Sequence, residues 1–185
     1  MPKEEVIAKL IPVFRHYGYE GATVSLLSEA TGLKKASLYH HFHGGKEQMA
    51  EAVLEYTENW LEENVFVPLR SDESASDRIV AMSQSIDKFY ESGHAPCLLA
   101  VMSLGEADNL FHQQLQRSLE KWLDELSKVV IETGVEPEQA RLCAEDAMML
   151  LQGALVLARV TNDTQPFKRA VSKLTKVLLN CTFHN

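Results

Sequence analysis

Apolar residues recur at three- and four-residue intervals along almost the whole chain, the spacing of amphipathic helices. No segment alternates as a half-buried strand would, and no internal repeat is visible. The first helix is predicted from about Lys3 to Tyr17, with Val6, Ile7, Leu10, Ile11 and Phe14 inward. Pro12 falls inside it and predicts a local kink, because proline removes a backbone donor; Gly18 stops the helix. Two short helices follow. Thr23 is placed to cap the first, which turns Leu26, Leu27 and Ala30 to one face. Gly32 allows a sharp turn, Leu33 plugs the core behind it, and the second helix starts at Lys35 with Leu38 and Phe42 inward.

The pattern stays helical beyond Gly44 and Gly45. A helix from Lys46 passes Trp60 and ends at Pro68 and the polar stretch Arg70 to Ser74. The next, about Ala75 to Glu91, carries Ile79, Met82, Ile86 and Phe89. After a break at Gly93 to Pro96 come a short apolar helix, Cys97 to Leu104, and a long one, about Asn109 to Thr133, with Phe111, Leu115, Leu119, Trp122, Leu126 and Val130 in register. Gly134 to Pro137 reads as a helix stop followed by a start.

The last two helices are unusually apolar. From Gln139 to Val160, one stripe holds Ala140, Cys143, Ala144, Ala147, Met148, Leu151, Leu155 and Ala158, and Met149, Leu150, Val156 and Leu157 lie off it. Phe167 to Cys181 repeats the theme. A helix apolar on nearly all sides must be covered on nearly all sides. One central helix of a monomeric core would meet that need. A two-fold, four-helix interface between two copies meets it better, with Leu151, Leu155, Ala158, Phe167, Val171, Leu174 and Leu178 as the expected contacts.

The two short helices joined at Gly32 have the helix-turn-helix layout, whose second helix lies in the DNA major groove. The outward residues of that second helix, Lys35, Ser37, Tyr39 and His40, can all hydrogen-bond to phosphates or base edges. The segments Gly18-Tyr19-Glu20-Gly21-Ala22-Thr23-Val24, Thr31-Gly32-Leu33 and Ser37-Leu38-Tyr39-His40-His41-Phe42, followed by Lys46-Glu47, resemble the DNA-binding domain of the tetracycline-repressor (TetR) family. The resemblance is close over the first quarter of the chain. Beyond it, the Gly93-His94-Ala95-Pro96-Cys97-Leu98-Leu99-Ala100 stretch, the long amphipathic helix and the apolar C-terminal pair are similar in pattern to small drug- or metabolite-sensing members. The resemblance implies that Tyr39 and Lys46 contact phosphates with help from Thr23, and it too points to a homodimer. Lys34, Lys35, Ser37 and His40 are the candidates for base or backbone contact. Lys34 stands where the family often has a small capping residue, which puts a side-chain cap on the second helix in doubt, and Ala36 where it often has glycine, which slightly restricts close backbone approach.

Charge supports this assignment. The chain carries −8 overall, which does not suit a DNA binder. Residues 1–46, however, hold six lysines and arginines against four acids, a balance of +2, and the rest hold 12 against 22, a balance of −10. A mildly basic head on an acidic body brings the head to phosphate and repels the body. Cys97, Cys143 and Cys181 sit among apolar residues without a close pair and are expected as buried reduced thiols. No metal or cofactor is expected. No apolar run reaches the ~20 residues of a membrane helix, and the acidic N-terminus lacks a signal region, so the expected partners include no membrane and the expected location is the cytoplasm. No catalytic residues can be assembled. There is no Gly-rich phosphate loop, Gly-x-Ser-x-Gly or His-Glu-x-x-His, and the adjacent Glu145 and Asp146 point apart on a helix.

The expected protein is therefore all-α and not an enzyme, with a helix-turn-helix DNA-binding domain at residues 1–46 and a helical ligand-sensing and dimerisation domain at 47–185. Its expected function is a ligand-responsive transcriptional regulator, a repressor released from a two-fold symmetric double-stranded operator by a small hydrophobic effector. The alternative is a helical small-molecule-binding or adaptor protein without functional DNA binding. The effector pocket is expected among Trp60, Phe89, Met102, Phe111, Trp122, Met148 and Met149, with Gln152 as a polar anchor, because aromatic and methionine side chains give large adaptable contact area.

Overall fold

The computed structural model describes residues 1–180, in which the chain forms helices and turns and no strand. The helices are α1 (Lys3–Gly21), α2 (Val24–Thr31), α3 (Lys35–His41), α4 (Gly45–Leu61), α5 (Val67–Leu69), α6 (Ala75–Phe89), α7 (Leu98–Met102), α8 (Gly105–Ile131), α9 (Pro137–Thr161) and α10 (Gln165–Leu179). One π-helical turn, Glu62–Phe66, joins α4 to α5. No helix among the described residues is long and apolar enough to cross a membrane. The chain divides into two compact units, Met1–Asn59 with Pro96–Leu115, and Trp60–Ala95 with the chain from Gln116 onward.

The first unit is built on α1. Acidic Glu4 and Glu5 in its first turn suit the positive end of the helix dipole, and Val6, Leu10 and Phe14 are fully buried. The backbone stays helical through Pro12. Only Gly18 departs, with φ 66°, and it ends the regular helix where the sequence predicts. Around α1 pack Leu27, Leu38, Phe42, Met49 and Val53 from α2 to α4, together with Leu98 and Met102 of α7 and Ala107, Phe111 and Leu115 of α8. The head core is thus completed by a segment some 50 residues further along the chain. Ala30, expected inward, is exposed, and Thr31 is buried in its place. Thr31 can turn inward because its hydroxyl bonds within the turn.

In the second unit α10 packs along α9, and α6 packs against α10. Phe167, Leu174 and Leu178 of α10 are buried, as are Ile79, Met82 and Ile86 of α6 and Trp122, Leu126 and Val130 of α8. All eight residues of the predicted α9 stripe are buried within the protomer. This corrects the expected dimer contacts. Leu151, Leu155, Ala158, Phe167, Leu174 and Leu178 belong to the core of one chain, and Val171 is half-buried. The stripe is covered within its own chain, where α10 packs along α9. The surface left apolar is the opposite side of α9, where Leu142, Met149, Val156, Leu157 and Val160 are exposed. Leu119, expected inward on α8, is also exposed, and Ser118 and Glu125 are buried.

Charged pairs tie the second unit together. Arg70 holds Glu125 with two bonds, Nε to Oε2 at 2.8 Å and Nη2 to Oε1 at 2.9 Å, and reaches Glu62 at 2.6 Å. Arg78 is buried, donates to the Leu69 carbonyl at 2.8 Å and pairs with Glu132. Arg141 joins α9 to α8 through Glu120 at 2.6 Å and Asp124 at 2.9 Å, and it also takes up Glu145 at 3.1 Å. Cys143 is buried, as expected. Cys97 is buried, and Cys181 lies outside the described residues.

Candidate nucleic-acid interface

The helix-turn-helix is held by its own polar side chains. Thr23 Oγ1 accepts the Leu26 N–H at 3.3 Å, which caps α2 as predicted. At the other end Gly32 takes the left-handed conformation, φ 71°, in which a glycine carries no Cβ penalty. The turn is then fastened by two residues that hydrophobic periodicity does not single out. Thr31 Oγ1 donates to the Leu27 carbonyl at 2.8 Å and accepts from the Leu33 N–H at 3.3 Å. Ser28 Oγ donates to the Leu33 carbonyl at 2.5 Å. Their visible signal is a serine and a threonine three residues apart just before a turn glycine.

Helix α3 starts after Lys34, which makes no side-chain cap. Leu38 and Phe42 are fully buried and fix the rotation of the helix. That rotation leaves Lys34, Lys35, Tyr39 and His40 exposed and Ser37 half-buried. Tyr39 is 46% exposed, and a Cβ at Gly45 would touch its Cε1 at 3.4 Å, so the ring is backed by the start of α4. His43 is exposed beside His40, with ring centroids 6.2 Å apart, and Lys3 lies over the Phe42 ring at 5.2 Å. Neither His43 nor Lys3 is among the expected contacts, although both add donors to the same surroundings.

Thr23 is exposed and keeps its hydroxyl proton for an acceptor outside the helix, since only its oxygen is used in the cap. Lys46 is placed differently from a simple outward lysine. It is half-buried, its Nζ donates to the Tyr19 carbonyl at 2.9 Å, and it sits 4.2 Å from the centre of the Tyr19 ring. An ammonium has three donors, so two are left for phosphate.

The eight expected effector residues do not form one group. Met102 and Phe111 are buried in the core of the first unit, Phe111 edge-on to Tyr19 at 5.6 Å. Met149 is 62% exposed on the outer side of α9. These three are corrected out of a body pocket. Helical periodicity marks a residue as apolar and inward but does not say into which core it points. In the second unit Trp60 stacks on Phe89 at 4.5 Å, Trp122 meets Phe66 edge-on at 6.2 Å, Met148 is buried and Gln152 is half-buried. The Trp122 indole N–H is buried without a hydrogen-bond partner. Three clefts described in this unit include none of the eight. One of about 320 Å³ is lined by Arg70, Arg78, Glu125 and Glu132, one of about 420 Å³ lies between α6 and α10, and one of about 530 Å³ lies along α8.

Residues 7–53 match the family described as bacterial regulatory proteins, tetR family, and residues 75–173 match the LmrA/YxaF-like C-terminal domain of transcriptional regulators. An HTH-type transcriptional regulator of Mycobacterium tuberculosis is 24% identical over 96% of this chain and 94% of its own length. The HTH-type transcriptional regulator LmrA of Bacillus subtilis is 19% identical over 95% and 96%. The negative regulator IcaR of the Staphylococcus aureus biofilm operon is 35% identical over 31% of this chain and 32% of its own. Among solved structures, a TetR regulator from Legionella pneumophila superposes with TM-score 0.81 at 22% identity, covering 95% of this chain and 96% of that one. With both regions of the chain matched to models of one family, and with the described fold shared, the chain belongs to the TetR family of DNA-binding transcriptional regulators, which are not enzymes.

Proposed function

We propose that this regulator is a repressor that binds a two-fold symmetric operator as a homodimer in the cytoplasm and leaves it when its body takes up a small hydrophobic molecule. Residues 1–46 carry the DNA contacts, and 47–185 carry sensing and dimerisation. The observation that carries the DNA reading is the rotation of α3, which buries Leu38 and Phe42 and turns Lys34, Lys35, Tyr39 and His40 to solvent. Dimerisation is supported by the outer side of α9, where Met149, Val156 and Val160 recur at seven- and four-residue spacing and are 62%, 60% and 78% exposed. An apolar stripe of that kind on an otherwise satisfied helix marks an association surface.

Sensing is supported by the Trp122 N–H. A buried donor without an acceptor costs about 1–3 kcal/mol, and an apolar ligand carrying one acceptor atom would relieve it. Gel shift with the protein's own upstream DNA tests operator binding, and a reporter strain lacking the protein tests repression, which predicts raised expression. A panel of neutral hydrophobic compounds should contain members that raise the melting temperature and release DNA. Trp122→Phe keeps an aromatic ring and removes the donor, so those compounds should bind it roughly tenfold more weakly, the worth of one hydrogen bond. A response unchanged by Trp122→Phe places the effector elsewhere.

A further inference from the structure

Helix α8 begins without a cap of its own. The preceding Ser103 hydroxyl turns back to the Ala100 carbonyl at 3.0 Å, and Leu104 has no polar group to offer. The missing acceptor comes from Glu20, 86 residues earlier, whose Oε1 takes the Glu106 N–H at 2.5 Å. Hydrogen bonds from the Glu106 backbone first, and then from the backbone of Glu20 itself and of Ala107, hold the Glu20 carboxyl below the usual carboxylate range. Glycine at 105 is required for this approach, since a Cβ there would collide with the carboxylate. The neighbouring residue, Tyr19, packs its ring on Phe111 of α8, and its carbonyl receives Lys46 from the first turn of α4.

The two helices that run from the first unit into the second are α4 and α8. Both are therefore fastened to one dipeptide, Tyr19-Glu20, which lies three residues before the Thr23 cap of the helix-turn-helix. We propose that Glu20 is a positioning residue for DNA binding, and that its cap on α8 is the joint through which the state of the body reaches α2 and α3. An axial shift of α8 withdraws the Glu106 donor, and the Tyr19-Glu20 segment moves with it. Binding linkage makes this reciprocal, so DNA on the head must alter α8 in return. The inference rests on the DNA-binding function and needs no identified effector.

Hydrogen exchange on the full-length protein, with and without a duplex obtained by in vitro selection, tests it. In the unmodified protein the duplex should slow exchange at Glu106 and Ala107 and change exchange in α8 beyond residue 116. Glu20→Ala should speed exchange at Glu106 and Ala107 on the order of tenfold, the effect of losing a helix cap. It should also abolish the response beyond residue 116 while the duplex still binds. Gly105→Ala, which displaces the carboxylate without removing it, should give the same loss. Glu20→Gln, whose amide oxygen still accepts, should restore the response. A cap that only stabilises the fold would lower the melting temperature of Glu20→Ala and leave the DNA-induced change in α8 intact. That result in either folded variant overturns the proposal, as does failure of Glu20→Gln to restore the response. Duplex binding by the unmodified protein without any change beyond residue 116 overturns it too, and leaves DNA binding standing.

Discussion

Lys46 shows how much a single side chain can be asked to do. Its ammonium holds the Tyr19 carbonyl at 2.9 Å and lies over the Tyr19 ring, with donors left for phosphate. Lys46→Ala should therefore reduce the magnitude of the salt slope of DNA binding by about 1, the signature of one phosphate contact. A slope unchanged from the unmodified protein would assign Lys46 to Tyr19 alone. Arg70 carries a second prediction at this scale. It is the main hydrogen-bond partner that holds the buried Glu125 carboxyl below the usual range, and Lys128 adds to the effect. A carboxylate whose pKa is lowered by folding contributes stability that is present above its unfolded pKa and lost as pH falls through the folded value. Stability should thus decline on acidification below the ordinary glutamate range. Arg70→Ala, which leaves Glu125 buried with Lys128 as its remaining ion-pair partner, should cost about 2 kcal/mol at neutral pH and flatten the acid decline. Chemical denaturation at several pH values checks both.

At the scale of elements, α9 decides the most. Its inner stripe of small residues, with Ala140, Ala144, Ala147 and Ala158 buried, accepts α10 from the same chain. Its outer residues are apolar without cover in one protomer. The two sides should respond differently to a charge. Val156→Asp should leave a folded monomer, visible in sedimentation velocity beside a native circular dichroism spectrum. Leu155→Asp, one position away, buries an unpaired carboxylate and should unfold the second unit or lower its melting temperature by well over ~10 °C. A dimeric Val156→Asp protein would remove the outer side of α9 from the interface. Charge reinforces the division of labour between elements, because the acidic excess falls outside the first 46 residues and α3 carries no acidic residue.

At the scale of the molecule, dimerisation and DNA binding are one requirement. A homodimer presents two copies of α3 related by two-fold symmetry, so a footprint should show two half-sites with approximate inverted symmetry, spaced to present successive major-groove faces roughly 34 Å apart. A single asymmetric half-site bound by one protomer would contradict the dimeric reading. The head is only mildly basic, so single-site affinity should be weak and the paired contacts should dominate.

What the chain determines by itself is local. The Thr23 cap, the left-handed Gly32, the burial of Leu38 and Phe42 and the uncapped start of α3 each depend on residues within about four positions of one another, a range over which periodicity and turn chemistry act. The inner stripe of α9 was legible for the same reason. Tertiary structure alone decided where apolar faces go. Met102 and Phe111 have the pattern of body residues and are packed into the head, and Leu155 has the pattern of an interface residue and is buried within its own chain. It alone also brought Glu20 to α8, Lys46 to Tyr19 and Arg70 to Glu125, across 86, 27 and 55 residues. The hydrophobic effect rewards burial without naming the partner, so periodicity can show that a face must be covered. Only the closed chain shows what covers it.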